Sequence, residues 1–425
     1  MPAAGVDIYA PDFAHQLIRS QYFWNVPIND PLHQDLVYFY STMEIINEGL
    51  GAADCLGSGF IVRRSALAQI DGFPTYSVTE DTACSSQLVG QGWRVAYIDQ
   101  RLQCREMPET LSGHLKQRMR WTSGNIQTAM KMKFRLLGNR AKHCTHRQRL
   151  AGFVFGASAI VNGSVQIIAF LGMPLVLLSG YPLVVYSTAF DLKWLLRLVS
   201  IFIFADYINK VAMSFFVGYI EAMRWDSIDQ WLRPYLAAAF IRDFCLPWRK
   251  PKFKPTGKVR KQSLDERSPE TTFWQRIKHF YFPHHVYIHT LFIHFCLVGA
   301  ALTVLRAFFP SLAIYSAYGY IPPVDDHSRW IFILVRVLWP PLSWLQSCAS
   351  CWIPIRYVVA PPKKVNRESV MVKDSSGVWR VKEEMWKAGR RKVFGRFGGL
   401  GEHVSTAVFA WSIACFWCSW YVENE

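Results

Sequence analysis

The sequence predicts an α/β region with a parallel sheet, followed by an α-helical transmembrane region. Three observations support this prediction: a β–α–β order within residues 1–148, five apolar stretches after them, and loops that are alternately rich and poor in Lys and Arg. Composition agrees, because 17 Trp, 29 Phe and a mean hydropathy of +0.09 are high for a soluble protein.

The first region is predicted from local start and stop signals. Asp54 to Arg63 (DCLGSGFIVR) indicates a glycine turn and then a strand, and Ser65 to Ile70 indicates a short helix ended by Gly72. Thr79 is predicted to cap the next helix with its side chain, because acidic residues follow it in the first turn and a glycine stands at the end. Trp93 to Asp99 (WRVAYID) then predicts a strand, which completes a β–α–β unit whose ligands should lie at the strand ends.

A helix over LSGHLKQRMRWTSGN, residues 111–125, would bring three functional side chains together. Gln117, Arg120 and Trp121 fall at i, i+3 and i+4, so they share one face. A hydrogen-bond donor, a cation and a flat ring suit a phosphate beside a sugar ring.

The second region is predicted from apolar length and loop charge. Five stretches approach the length that crosses the hydrocarbon: 151–179, 194–220, 283–309, 330–350 and 404–422. Segment 131–149 holds seven Lys/Arg, segment 180–193 one, segment 221–282 thirteen and segment 310–328 none. This alternation predicts that residues 1–148 are cytosolic, that residues 149–425 cross five times, and that the C-terminus lies outside.

Two parts of this region are predicted to depart from simple crossings. Pro340, Pro341 and Arg356 leave open a broken or re-entrant element within 330–358. Residues 225–246 carry charges that suit an interfacial helix better than a sixth span. Lys250 to Arg267 reads as a basic loop.

Charge and cysteine usage argue against two other classes. Lys and Arg exceed Asp and Glu by 47 − 31 = 16, but the excess lies between the apolar segments, which favours a membrane protein over a nucleic-acid binder. The close pairs Cys348/Cys351 and Cys415/Cys418 lie in apolar stretches, so they read as small hydrophobic residues and not as metal ligands.

Asp81 is the candidate proton acceptor. It stands in VTED, after a predicted strand and in the first turn of a helix, where a carboxylate can face a ligand. An ionised aspartate there could accept a proton from an attacking sugar hydroxyl. Taken alone, a helix-capping role for Asp81 is as good an interpretation as a catalytic one.

Four stretches in register carry a family resemblance. TED at 79–81, followed 36 residues later by QRMRW at 117–121, resembles the processive family 2 glycosyltransferases, and most closely the cellulose synthases. GSGFIVRRSAL at 57–67 is similar to a further segment of that family, and FKPTGK at 253–258 is similar to its gating-loop motif, with Pro255 in place of the usual valine. The resemblance runs from about Ser20 to Lys258 and implies a partial GT-A-like cytosolic domain over 1–148.

The resemblance also implies roles for the residues of the first two motifs. Asp81 would be the general base on the acceptor hydroxyl, and Glu80 would help to line the acceptor site. Gln117 and Arg120 would contact the donor and its diphosphate, while Trp121 would stack on the acceptor sugar.

The gating loop and the metal are implied in the same way. Phe253, Thr256 and Lys258 would close over the nucleotide. Mg²⁺ or Mn²⁺ is expected for the family, but two upstream aspartate motifs, one of them a DxD that holds the metal, do not occur in this chain. We therefore expect a chain that lacks the N-terminal half of its catalytic domain.

The implied partners are a UDP-sugar, a glucan acceptor and the lipid bilayer, with no nucleic acid and with a homo-oligomer left open. The implied location is a multi-pass integral protein of the plasma membrane. TED, in contrast to the EDR of chitin synthases and the GDDR of hyaluronan synthases, points to UDP-glucose and a β-glucan. Three alternatives remain: a truncated or pseudoenzymatic membrane subunit, a multi-span membrane protein whose cytosolic domain only binds a partner, and a hyaluronan or chitin synthase-like transferase that uses another UDP-sugar.

Overall fold

A computed structural model describes most of the chain. The described residues are 19–23, 39–57, 59–105, 108, 110–182, 186–213, 219–246, 266–309, 326–338, 343–361, 371–373, 375, 379–382 and 400–420.

The described residues of the first part form four helices and two strands. In chain order these are β1 (Arg19–Phe23), a π-helical turn (Phe39–Met43), α1 (Glu44–Gly49), α2 (Arg64–Gln69), α3 (Glu80–Gly90), β2 (Ile98–Arg105) and α4 (Leu111–Lys131). β1 and β2 pair in parallel, with Arg19 opposite Ile98 and Phe23 opposite Arg105. The α/β class of this part and a GT-A-like sheet stay predictions.

The helix predictions for this part are confirmed, and the strand predictions need correction. α2 ends before Gly72, whose φ of +88° suits glycine, and α3 begins at Glu80 directly after Thr79. The strand expected after Gly57 is not formed among the described residues of 54–63, where Phe60 makes only an isolated bridge. The strand expected at 93–99 lies at 98–105, because pairing with β1 sets its position.

Helices make up most of the second part. Two short 3₁₀ turns (Lys133–Arg135 and Asn139–Ala141) lead to α5 (His146–Ser164), α6 (Gln166–Ser179), α7 (Ala189–Met213) and α8 (Tyr219–Phe240), which continues as a π-helical turn (Ile241–Cys245). After them come α9 (Phe273–Arg276) with a π-helical turn (Ile277–Tyr281), α10 (Tyr287–Phe308), α11 (Asp326–Ile333) with a π-helical turn (Leu334–Leu338), α12 (Ser343–Val359), the antiparallel pair β3 (Met371–Lys373) and β4 (Trp379–Val381), and α13 (Leu400–Cys418).

Two helical stretches of the described chain, α10 and one within Arg329–Val359, are long and apolar enough to cross a membrane. The pair α5 and α6, bent by 40°, gives a third if it is counted as one span. α7 carries Arg197, Asp206 and Lys210 within its apolar run, and the Lys210 ammonium pairs with Asp206 at 2.8 Å. The apolar part of α13 is shorter, at Thr406–Cys418. The count of five crossings stays a prediction.

The helices of the second part pack closely on one another. α6 and α10 meet at Gly299, where an added Cβ would lie 2.7 Å from the backbone nitrogen of Leu178. α8, predicted to be interfacial, packs against α4, α5, α7 and α12 and buries Trp231 completely. Its relation to the bilayer stays a prediction. Because α4 joins α8 in one apolar core, the helix of the QRMRW motif is held by both parts of the chain.

Candidate functional site

Asp81 lies in the first turn of α3, where helical N–H groups have no partner within the helix. Its Oδ1 accepts a hydrogen bond of 2.9 Å from the backbone N–H of Thr82, and its Oδ2 accepts one of 2.6 Å from the backbone N–H of Gly57. Both oxygens are therefore fixed by main-chain donors from two different segments.

Burial raises the pKa of Asp81 above its ordinary value. The N–H groups of Thr82 and Gly57 act in the opposite direction, because they stabilise the charged form, and the neighbouring charge of Glu80 raises the pKa further. A carboxylate with a raised pKa is a stronger proton acceptor than an ordinary aspartate.

A cavity of about 420 Å³ opens in front of Asp81. Its lining combines two carboxylates with apolar and aromatic groups: Gly57, Phe60, Val62, Phe73, Glu80 and Asp81. Glu80 is exposed at the cavity. Such a wall suits a ligand that carries both hydroxyl groups and an apolar ring face, such as a pyranose.

The segment just before Asp81 is docked on α4. The Ser77 hydroxyl donates to the Gly124 carbonyl at 2.9 Å, and the Val78 N–H donates to Oε1 of Gln127 at 3.0 Å. In return the Arg120 guanidinium donates to the Val78 carbonyl at 3.2 Å. The TED and QRMRW motifs, far apart in sequence, are thus parts of one unit.

Thr79 contributes to this docking and does not cap α3 through its side chain. It precedes α3, but its hydroxyl makes no capping hydrogen bond to the helix and instead lies 3.1 Å from the Ser77 hydroxyl. The predicted helix start is confirmed, and its predicted side-chain cap is wrong.

The other two residues of the predicted face have distinct surroundings. The Oε1 of Gln117 is buried and accepts no hydrogen bond from the described residues. Trp121 packs against an apolar core that includes Ala66 of α2 and Cys84, Leu88 and Val89 of α3. The Arg118 guanidinium lies 5.1 Å from the centre of the Trp121 ring. This cation–π contact is not predicted by the helical spacing.

Known proteins and a protein family match this part of the chain. The model of the glycosyl transferase family group 2 matches residues 49–208, a stretch that contains Asp81, its cavity and α4. A cellulose synthase 2 of Novacetimonas hansenii is 30% identical over 184 residues, which cover 42% of this chain and 11% of that protein. Residues 49–208 therefore carry a glycosyl transferase family group 2 domain, and the chain is similar to cellulose synthases.

Two further relatives match over shorter stretches. A UDP-forming cellulose synthase catalytic subunit of Komagataeibacter xylinus is 38% identical over 89 residues, 21% of this chain and 12% of that protein. The corresponding subunit of Xanthomonas axonopodis pv. citri is 34% identical over 91 residues, again 21% and 12%. The matches therefore span about a tenth of the length of these relatives.

The predicted gating-loop residues Phe253, Thr256 and Lys258 lie outside the described residues. The chain is described again at Glu266, which is buried and whose carboxylate accepts a hydrogen bond from the Leu111 N–H at the start of α4. The chain that follows the loop is therefore tied to the helix that carries Gln117 and Arg120.

Two buried carboxylates behind Asp81 escaped the sequence analysis. Asp54 accepts a hydrogen bond of 2.8 Å from the hydroxyl of Ser85, which stands one helical turn after Asp81 on α3. The Arg135 guanidinium lies 3.7 Å from the same carboxylate. The Glu44 carboxylate accepts a hydrogen bond of 3.1 Å from the backbone N–H of Asp54.

Burial, followed by the charge of Asp54, raises the pKa of Glu44 to about 8. Asp54 stands among Ala, Cys and Gly residues, so the local sequence gives no signal that it would be a buried carboxylate behind Asp81. The segment 54–57 touches α3 twice, at Ser85 and at Asp81, and is thereby held against the helix.

Family 2 glycosyltransferases generally use a divalent metal. Within the described residues, no three His, Cys, Asp or Glu side chains are grouped so that they could hold one. Both oxygens of Asp81 and the Oδ1 of Asp54 accept hydrogen bonds from N–H or hydroxyl groups. No step below passes through a metal.

Proposed function

We propose that the chain belongs to a membrane polysaccharide synthase that transfers glucose from UDP-glucose to a growing β-glucan and passes the product through the membrane. The observation that carries the proposal is Asp81, a carboxylate of raised pKa that faces a cavity and stands on a helix docked to the QRMRW helix. The similarity to UDP-forming cellulose synthase subunits supports the donor and the product.

The proposed step is a single displacement with inversion at the sugar carbon. The acceptor hydroxyl gives its proton to Asp81 while its oxygen bonds to the anomeric carbon of the donor. The bond from that carbon to the diphosphate breaks, and UDP leaves. Each Asp81 oxygen already accepts a hydrogen bond from a backbone N–H group, and the remaining lone pairs can accept the proton.

The other predicted residues take supporting roles in this proposal. Glu80 lines the acceptor cavity, which also offers Phe60 and Phe73 for contact with a sugar face. The free Oε1 of Gln117 accepts a donor hydroxyl, and Arg120, held by Val78, contacts the diphosphate.

Trp121 contacts the acceptor sugar with the ring face opposite Arg118. Phe253, Thr256 and Lys258 close over the nucleotide.

The test replaces Asp81 by Asn in the chain, expressed with any coding sequence that precedes Met1 in the same frame. Incorporation of sugar from UDP-glucose by isolated membranes should fall at least 100-fold, since only the base is lost. UDP affinity should stay within about twofold of the unmodified protein.

The matched control is Asp71→Asn. Asp71 is exposed and has a φ of 58°, a conformation that Asn tolerates well, so turnover should be unchanged. Full turnover in Asp81→Asn would overturn the assignment of the base. An unmodified protein that binds UDP but transfers no sugar would favour the pseudoenzymatic subunit.

A further inference from the structure

The segment between α4 and α5 has a strongly one-sided charge. No Asp or Glu occurs from Thr110 to Phe190. Residues 131–147 are here called the basic connector. Five of its cationic side chains are exposed: Lys131, Lys133, Arg140, Lys142 and Arg147.

These five cations have no acidic partner in the part of the chain that the structure describes; the ion pair recorded within residues 131–147 is that of the buried Arg135 with Asp54. Lys131 and Arg140 lie over the Tyr76 ring, at 5.7 and 5.9 Å from its centre. The charge of the connector is therefore available to an external anion.

The connector turns through an unfavourable backbone conformation. Lys133, Phe134 and Arg135 have φ values of 47°, 56° and 56°, in the left-handed region that residues with a Cβ avoid. The buried Arg135 side chain, which donates to the Ser86 hydroxyl at 2.6 Å, fixes this turn. Consecutive strained residues persist where the surrounding structure imposes them, often for a functional reason.

The connector is folded back along the first two turns of α5. Arg149 of α5 donates to the carbonyls of Leu136, Cys144 and Ala141, the last two at 3.2 and 2.9 Å. The rings of Phe134 and Phe153 lie 6.4 Å apart.

This packing sets the connector beside the start of a candidate span. Leu150, Phe153 and Val154 of α5 are exposed apolar residues, so the lipid-facing surface of α5 would begin at this level. At the tip of the connector, Leu136 and Leu137 are 39% and 70% exposed. Cations and exposed leucines thus lie together where α5 would enter the bilayer.

We propose that the basic connector binds the headgroups of anionic phospholipids, with Leu136 and Leu137 inserted at the boundary of the acyl chains. Clusters of four to eight basic residues next to a membrane span attract anionic lipid, with a gain of about fivefold in affinity for each cation. A leucine pair among the cations adds an apolar anchor. A nucleic acid or an acidic protein would use the charge but would leave the leucines unexplained. This inference does not depend on the glycosyl transfer reaction.

The experiment titrates phosphatidylglycerol into phosphatidylcholine micelles that hold the purified full chain, and follows the thermal unfolding midpoint. The unmodified protein should be stabilised by phosphatidylglycerol but not by added phosphatidylcholine, and less so at high salt. Lys133→Gln with Lys142→Gln should weaken the apparent lipid affinity about 30-fold.

The matched control is Arg64→Gln with Arg94→Gln, which removes two exposed cations at a distance in sequence from the connector. It should shift the apparent affinity less than twofold. Leu136→Ser with Leu137→Ser keeps every charge and should weaken the affinity at least tenfold, because apolar insertion is lost.

Three results would overturn the proposal: no preference for phosphatidylglycerol in the unmodified protein, an equal loss in the control pair, or full affinity in the serine pair. A connector that serves an acidic protein partner would give the first of these results.

Discussion

Gly124 of α4 lies so close to Thr79 that a Cβ at position 124 would stand 2.2 Å from the Thr79 hydroxyl oxygen. Only a residue without a side chain allows this approach. The contact joins the residue before Glu80 and Asp81 to the helix that carries Gln117 and Arg120, so the geometry of both motifs depends on one glycine.

Gly124→Ala should therefore destabilise the protein. Alanine favours a helix over glycine by about 1 kcal/mol, but the clash with Thr79 should cost about 1–3 kcal/mol and should exceed that gain. The free energy of unfolding in detergent, from a urea titration, measures the difference. Gly49→Ala is the control, because nothing lies within 4 Å of a Cβ there, and it should not destabilise. Adding Thr79→Ala to Gly124→Ala should recover part of the loss, and a stable Gly124→Ala protein would contradict the close contact.

Ser85→Ala should change the pH dependence of the proposed reaction. Without the Ser85 hydroxyl, segment 54–57 loses one of its two contacts with α3, and the Gly57 N–H holds Asp81 less well. Since that N–H lowers the pKa of Asp81, the pKa should rise further. The acidic limb of the kcat/KM profile should then move to higher pH, because a protonated Asp81 cannot accept the proton.

Hydrogen exchange gives an independent measure of the same change. Peptides over 52–57 should exchange faster in Ser85→Ala. Ser86→Ala removes a neighbouring buried hydroxyl that contacts Arg135 but not this segment, so exchange there should stay the same. Equal exchange in both variants would argue against the role of Ser85.

Glu44 should make the stability of the protein decrease as pH rises. Its pKa is raised from 4.5 to about 8 in the folded state, so the folded state binds more protons than the unfolded state between those values. The favourable contribution of the neutral carboxyl is complete below pH 4.5 and is lost as the pH rises towards 8. Urea unfolding at a series of pH values in this window should show the slope, and Glu44→Gln should flatten it. A slope unchanged by Glu44→Gln would mean that other groups cause it.

Arg120→Ala should weaken UDP binding by about 1.5–3 kcal/mol, the range for a charge-assisted contact. The same is expected for Lys258→Ala. Calorimetry in detergent measures both, provided that the unmodified chain binds UDP. Arg120 also holds the Val78 carbonyl, so its variant should be less stable as well. If Arg120→Ala reduced stability but left UDP affinity unchanged, Arg120 would only support the motif.

The topology can be tested by reporter fusions. Five crossings, with residues 1–148 in the cytosol, predict that reporters at Asp325, Gly377 and Glu425 lie outside, inside and outside, respectively. A cytosolic Glu425 would give an even number of crossings. Residues 330–358 would then be the first place to look, because two prolines interrupt that stretch.

The sequence by itself determined the features that depend on neighbouring residues. The start of α3 at Glu80 follows from the acidic residues of its first turn, and the helix over 111–125 is expected from helical spacing; both effects arise within one or two turns. The motif residues and their family resemblance are equally local, since each motif is a short run.

The tertiary structure alone decided how these pieces meet. β2 lies about five residues later than its apolar run predicts, because a strand is defined by the partner with which it pairs. The approach of Gly124 to Thr79, the burial of Asp54 and Glu44, and the contact of Arg118 with Trp121 could not be read from local pattern. These features depend on close packing and desolvation between segments distant in the chain, and such energies exist only once the segments are brought together.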